Sequence, residues 1–228
     1  MAIPTLAMIP SGYKAGKLYS VLPSDGTGDF TLARNSVATR VNQSGLIEEV
    51  GVNVPRLDYS AGGCPVLLTE IQSQNIIPYS EDSTQWIQYG SPTIDITSII
   101  SPDGTLNGTK VTRGINLTPL RRDGLTTLGT EYTFSLYAKK GSIDKMFLDI
   151  GDEQNVGFTL TDEWQRFELT STPTTFTHVD ISFGPSVSGD HIFIFGAQVE
   201  AQPAATSYIK TTGTAQTRAR ISGIHIHK

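Results

Sequence analysis

The chain has 228 residues, of which 17% are charged, and it contains 22 glycines and 12 prolines. This length allows one β-sandwich with extensions or two small domains, and the glycine and proline content favours many short strands joined by turns. The formal net charge of −5 argues against a nucleic-acid-binding surface. A single cysteine, Cys64, excludes an internal disulfide. No apolar run approaches the roughly 20 residues that a membrane helix needs, so membrane insertion is not expected.

Residues 1–64 are predicted to form an extended N-terminal arm that attaches the chain to other subunits. Pro4, Pro10 and Pro23 oppose helix formation in its first part, and the apolar residues between them need a surface that covers them. That surface belongs either to the chain's own domain or to a partner subunit, and the sequence leaves both alternatives open. No basic segment precedes the apolar residues, so a secretion signal is not expected.

The clearest strand pattern in the sequence is at Gly129–Ala138. From Tyr132 to Ala138 the even-numbered residues are apolar and the odd-numbered ones mostly polar, which is the period of a half-buried strand. His191–Phe195 is apolar on both faces after its first residue, which predicts a central strand. Further short strands are predicted at Thr93–Ile100, Lys110–Arg113, Met146–Ile150, Val156–Leu160, Trp164–Thr170 and Val179–Phe183. This series of strands, without an amphipathic helix pattern, predicts an all-β sandwich or barrel.

Several separated motifs occur in an order that resembles structural proteins of tailed bacteriophages. The motifs are Phe30–Asn42, Gly45–Glu48, Asn53–Tyr59, Leu67–Asn75, Tyr79–Asp82 with Trp86, Phe195–Glu200, Ala205–Ile209, Thr211–Gly213 and Thr217–Arg218. The resemblance covers about residues 10–220 and implies a head-fibre, decoration or tail protein whose central region is similar to a carbohydrate-binding module. It therefore implies an all-β jelly-roll β-sandwich at residues 65–210, between the extended arm and a short C-terminal tail at 211–228.

Signatures of catalysis are sparse in this sequence. It has four histidines and lacks a Gly-x-Ser-x-Gly elbow, a phosphate-binding loop and a His-Glu-x-x-His motif. Asp149, Asp152 and Glu153 are the acidic residues considered for a glycosidase pair, which needs two carboxylates on either side of a sugar. They are predicted to lie in a turn-like stretch, where acidic residues are usually only solvated. No enzymatic activity is expected.

Aromatic residues of the predicted sandwich point to sugar binding, because an aromatic ring stacks on a sugar while polar neighbours bind its hydroxyl groups. The candidates are Trp86, Tyr89, Tyr137 and Trp164. Packing inside the sandwich is the alternative role, above all for Trp164. The sandwich as a whole has a second alternative, that of a spacer without a sugar site.

The C-terminal residues His225 and His227 form a His-x-His pair. In three chains that meet on an axis, six imidazoles would supply an octahedral site for a transition metal such as iron. The resemblance to phage proteins favours this arrangement, since trimeric phage spikes and fibres use it. The alternative is an exposed terminal strand, alone or docked on a neighbour.

These observations favour a non-enzymatic virion structural protein that is made in the host cytoplasm and exposed on the particle surface. Its expected partners are capsid or tail proteins, further copies of itself in a homotrimer, and host surface glycans. A receptor-binding protein whose main role is glycan recognition is the first alternative. A polysaccharide-degrading enzyme is the second.

Overall fold

The computed structural model describes residues 7–22, 24–115, 120–151, 156–184 and 186–226. Its strands are β1 (Ala7–Lys14), β2 (Lys17–Leu22), β3 (Phe30–Ala33), β4 (Ala38–Val41), β5 (Ile47–Val50), β6 (Leu57–Asp58), β7 (Val66–Leu67), β8 (Ser73–Asn75), β9 (Ile87–Gln88), β10 (Thr93–Ile99), β11 (Gly108–Thr112), β12 (Leu120–Arg122), β13 (Tyr132–Lys140), β14 (Lys145–Ile150), β15 (Val156–Thr159), β16 (Gln165–Ser171), β17 (Val179–Phe183), β18 (His191–Glu200), β19 (Gln216–Arg218) and β20 (Ser222–Ile226). A short 3₁₀ helix covers Ser83–Gln85.

The chain divides into two compact units. The first consists of Met1–Ser73, Thr206–Tyr208 and Thr217–Lys228, and the second of Gln74–Ala205 and Ile209–Gln216. Among the described residues, no helix is long and apolar enough to cross a membrane.

The first unit contains a four-stranded sheet in the order β1-β2-β3-β20 and the strand pairs β4–β5 and β6–β7. A tight turn at residues 15–16 joins β1 to β2, and Gly16 adopts the positive φ of +78° that this turn requires. β2 also pairs with β3, so residues 7–22 belong to a sheet of the first unit. The C-terminal strand β20 pairs with β3 on its other side.

Buried ionic residues link distant segments of the first unit. The carboxylate of Glu70 accepts hydrogen bonds from Arg56, Arg218 and the Ser207 hydroxyl. Both arginines are almost completely buried. All four residues belong to the motifs that resemble phage structural proteins, so these motifs supply internal contacts of the fold.

The second unit is a sandwich of two five-stranded sheets. The first sheet has the order β10-β11-β18-β13-β16 and the second β15-β14-β17-β12-β9. The strand pairings described within these sheets are antiparallel. From β11 to β18 the chain passes to the other sheet at every step except β14 to β15. This repeated crossing produces the jelly roll. The all-β jelly-roll class predicted from the sequence is confirmed.

Side chains from both sheets form one apolar core between them. In β13 the even-numbered residues from Tyr132 to Ala138 point into it, as predicted. The core-facing residues of β18 include Ile192 and Ile194, and β18 lies between β11 and β13, which confirms the predicted central strand. The odd-numbered residues of β13, and those of β18 next to Ile192 and Ile194, therefore point to the outer face of the first sheet.

Candidate functional site

Aromatic side chains gather on the outer face of the first sheet. Tyr137 of β13 lies opposite Phe195 of β18, and their ring centroids are 6.2 Å apart. Phe193 lies two residues before Phe195 on β18. Its ring contacts the His191 ring edge-on, with 5.4 Å between the ring centroids. Tyr137, Phe193 and His191 are half-buried, whereas Phe195 is buried. We call this group, with Trp164, the aromatic face.

Trp164 joins the aromatic face from the residue just before β16. Its indole Nε1 donates a hydrogen bond of 2.9 Å to the carbonyl of Ile100. A Cβ atom at Gly108 would lie 3.2 Å from the Trp164 ring, and on β11 Gly108 shares a face with Lys110, which is paired with Phe193. The half-buried indole thus lies on the same side of the sheet as Phe193 and Tyr137.

Polar groups flank these rings. The guanidinium of Arg166 lies 5.5 Å from the Tyr137 ring centroid, and its Nη2 donates to the Ser135 hydroxyl at 3.0 Å. Lys110 and Lys139 both lie opposite Phe193 on the neighbouring strands. The aromatic face therefore combines apolar ring surfaces with several hydrogen-bond donors, the combination that a sugar requires.

His191 adds a group that both donates and accepts hydrogen bonds. Burial and the positive charge of Lys110 lower the pKa of His191, although Asp190 acts in the opposite direction. The imidazole is therefore neutral at neutral pH and offers one N–H donor and one ring-nitrogen acceptor. A hydroxyl group, which also donates and accepts, matches such an imidazole.

A cavity of about 390 Å³ lies beside the edge strand β10. Its lining includes Tyr79, Glu81, Ile96, Asn107 and Lys210. Lys210 Nζ is 2.7 Å from a Glu81 carboxylate oxygen, and the Asn107 amide donates to the same oxygen at 3.3 Å. The cavity thus has a fixed polar wall, and Asn107 directly precedes Gly108, against which the Trp164 ring lies.

The structure brings together two of the four aromatic residues chosen from the sequence, Tyr137 and Trp164. Trp86 is elsewhere, since it is only 4% exposed and packs in the core at 6.5 Å from Phe134. Its indole Nε1 donates to the Tyr79 carbonyl at 3.2 Å. Buried in this way, the Trp86 ring has no open face for a sugar.

Tyr89 belongs to the other sheet of the sandwich. It directly follows β9, is 39% exposed, and lies under the Arg121 guanidinium at 5.6 Å. An aromatic ring on that sheet cannot act on a ligand together with Tyr137 and Trp164, which lie on the outer face of the first sheet.

Sequence reasoning missed Phe193, His191 and Arg166 as members of the site. The alternation within His191–Phe195 contained the signal, because Ile192 and Ile194 occupy the core and leave the odd-numbered residues on the outer face. The position of Arg166 follows from the pairing of β16 with β13, which places it opposite Tyr137.

The acidic residues considered for catalysis do not form an open cleft in the described chain. Asp149 lies in strand β14, and not in a turn as the sequence predicted; its exposure is 1%. Its neighbours in space are His178 and Asp180. Asp152 and Glu153 lie outside the described residues.

The predicted metal site at His225 and His227 remains a prediction. The backbone of His225 pairs with Thr31 in the four-stranded sheet of the first unit. The His225 side chain and all of His227 lie outside what the structure describes.

Comparison with solved structures finds carbohydrate-binding modules and a phage tailspike protein. The CBM22-1 xylan-binding domain of Paenibacillus barcinonensis Xyn10C is 15% identical with a TM-score of 0.42, over 58% of this chain and 94% of that one. The CBM22-1–GH10 modules of Clostridium thermocellum xylanase 10B are 14% identical with a TM-score of 0.40, and the match covers 62% of this chain and 30% of that one. The enzymatically active domain of tailspike protein 4 of bacteriophage CBA120 is 13% identical with a TM-score of 0.37, and the match covers 55% of this chain and 21% of that one.

No protein-family model matches the sequence, and no curated protein matches it significantly. At TM-scores below 0.5, the structural likenesses assign no ligand. The aromatic face is therefore interpreted from its own geometry.

Proposed function

We propose that this chain binds glycans through the aromatic face of its sandwich and does so as a non-enzymatic structural protein of a bacteriophage particle. The observation that carries the glycan proposal is the convergence of Tyr137, Trp164 and Phe193 on one outer sheet face, with Arg166 and His191 beside them. Half-buried rings offer flat apolar surface, and their rigid setting lowers the entropy that binding costs.

A polysaccharide fits this face better than a compact small molecule. The rings come from β13, β18 and the start of β16, so they form an open surface across several strands. Sugar rings can stack on such a surface one after another, while Lys110, Lys139 and Arg166 donate to their hydroxyl groups. The affinity of one face is expected to be modest, and repeated display on a particle would raise it by avidity.

The experiment is a glycan array probed with the fluorescently labelled full-length chain, using bacterial surface polysaccharides and plant polysaccharides including xylan. The proposal expects binding to at least one polysaccharide and its loss in the variant Tyr137→Ala/Trp164→Ala. The matched control is Tyr89→Ala, which removes an exposed aromatic residue from the other sheet. An array without any signal, or a signal that the double variant retains, would refute the proposal.

The proposed place on a virion rests on the order of motifs that resembles phage structural proteins. In this proposal the first unit attaches the chain to capsid or tail proteins, and the sandwich is displayed outward as a head fibre, decoration or tail component. Immunogold electron microscopy of purified particles, with an antibody against the chain, tests this localisation. Regular labelling of the head or tail supports it, and unlabelled particles contradict it.

Association as a homotrimer is part of the same proposal. Light scattering on the purified full-length chain measures its mass in solution directly. A mass three times that of the 24.6 kDa chain supports a trimer. A monomer would remove the basis for a three-fold metal site at His225 and His227.

A further inference from the structure

A second group of polar side chains lies on the outer face of the other sheet and is buried. Asp149 of β14 is paired with Asp180 of β17, and His178 precedes β17 by one residue. The exposed fractions of these residues are 1%, 4% and 5%. Charged groups are rarely buried so deeply without a partner that compensates their charge.

The three side chains are spaced as ligands of one ion. His178 Nε2 is 3.2 Å from Asp149 Oδ2 and 3.6 Å from Asp180 Oδ2. One ligand atom from each residue can be chosen so that all lie within 4.8 Å of one another. With metal–ligand bonds of about 2.0–2.2 Å, neighbouring donors of a tetrahedral or octahedral site are about 3.0–3.5 Å apart.

One polar atom of this group lacks a partner. Arg121 donates to Asp180 Oδ2 at 2.8 Å. The other oxygen of this buried aspartate, Oδ1, has no hydrogen-bond partner among the described residues. A cation bound beside Asp180 would satisfy this oxygen.

We propose that Asp149, His178 and Asp180 bind one transition-metal dication of the zinc or manganese class. One imidazole nitrogen and two carboxylates form a mixed nitrogen and oxygen donor set, which suits these metals better than Ca²⁺ with its preference for oxygen alone. The ion would link β14 to β17 on the outside of the sheet. Its deep burial assigns it a structural role, since a sugar has no access to it.

The experiment is a titration of the chelator-treated full-length chain with ZnCl₂, MnCl₂ and CaCl₂ by isothermal calorimetry, with the bound metal counted by mass spectrometry. We expect one zinc or manganese ion per chain, a higher melting temperature with the metal, and much weaker binding of calcium. Asp149→Asn and His178→Gln should each reduce the affinity at least about tenfold, since each removes one ligand.

Two control variants separate this site from other metal-binding groups. Asp162→Asn changes an exposed carboxylate and should leave the affinity unchanged. His225→Ala/His227→Ala removes the terminal histidines and should also retain the bound ion. Loss of binding in this double variant would overturn the proposal, as would a stoichiometry below about 0.3 ions per chain or unchanged affinity in both ligand variants.

Discussion

Arg56 and Glu70 form an ion pair of 2.5 Å inside the first unit, where the Arg56 side chain is 1% exposed. The same carboxylate oxygen also accepts from Arg218. Glu70 thereby connects two arginines that are far apart in the sequence. A neutral side chain at position 70 would leave two buried guanidinium groups without their counterion.

Glu70→Gln is therefore expected to lower the free energy of unfolding by about 3–5 kcal/mol, the cost of leaving a buried ion pair without one partner. Glutamine has nearly the same shape, so the change isolates the charge. The measurement is urea-induced unfolding followed by circular dichroism. Glu48→Gln is the matched control, because Glu48 pairs with Arg40 at 2.6 Å but its side chain is 35% exposed. This control substitution should lower the free energy of unfolding by less than about 1 kcal/mol. Equal losses in the two variants would contradict the role of Glu70.

Acid should destabilise the wild-type chain through the same carboxylate. Burial alone would raise the pKa of Glu70, but Arg218, the Ser207 amide and Arg56 together lower it below the usual value of 4.5. A group whose pKa is lower in the folded state contributes stability above its unfolded pKa and loses it as the pH falls through the folded value.

The difference in stability between wild type and Glu70→Gln should therefore be constant above about pH 5 and shrink below about pH 4.5. Other carboxylates with lowered pKa values, such as Asp58 and Asp103, are present in both proteins and cancel in the difference. Urea unfolding of both proteins at a series of pH values measures this difference in stability. A difference that stays the same down to pH 3 would show that Glu70 has an ordinary pKa.

Gly108 provides a test of the packing under Trp164. A Cβ atom at this position would lie 2.6 Å from Ile99 Cγ2 and 3.2 Å from the indole ring. Gly108→Ala should therefore displace the Trp164 ring and cost about 1–3 kcal/mol of stability. Thermal unfolding gives the stability, and tryptophan fluorescence gives the ring displacement. Gly51→Ala is the control, since its Cβ would meet only Val54 at an ordinary 3.7 Å; similar behaviour of both variants would argue against the described packing.

The stacking of Arg166 on Tyr137 predicts a smaller effect. Arg166→Ala removes the guanidinium 5.5 Å from the ring and its hydrogen bond to Ser135, so we expect a loss of about 1 kcal/mol. Arg166→Lys keeps the charge but lacks the planar group, and should recover only part of this loss. Full recovery with lysine, measured by urea unfolding, would mean that charge alone matters here.

Local sequence pattern was sufficient to predict eight of the ten strands that form the sandwich, but not the short strands β9 and β12. The alternation from Tyr132 to Ala138 determines which side of β13 enters the core, and the apolar run after His191 identifies β18 as a central strand. Both signals lie within a few neighbouring residues. The period of two follows directly from strand geometry.

The composition of the candidate site could not be predicted in the same way. Trp86 is a sugar-binding candidate in the sequence, but its ring packs against Phe134, 48 positions away in the sequence. The meeting of Tyr137 with Phe195 depends on the strand order, which local pattern does not contain. The approach of Asp149 to Asp180 likewise depends on the register of β14 with β17.

The most direct test of glycan recognition is the affinity of Trp164→Ala and Tyr137→Ala for the best polysaccharide found on the array, measured by isothermal calorimetry against wild type. Stacking residues at the centre of a binding surface usually contribute more than about 1 kcal/mol each. We therefore predict at least a roughly fivefold weaker affinity in each variant, with unchanged affinity in Tyr89→Ala. Wild-type affinity in both variants would contradict the assignment of the aromatic face.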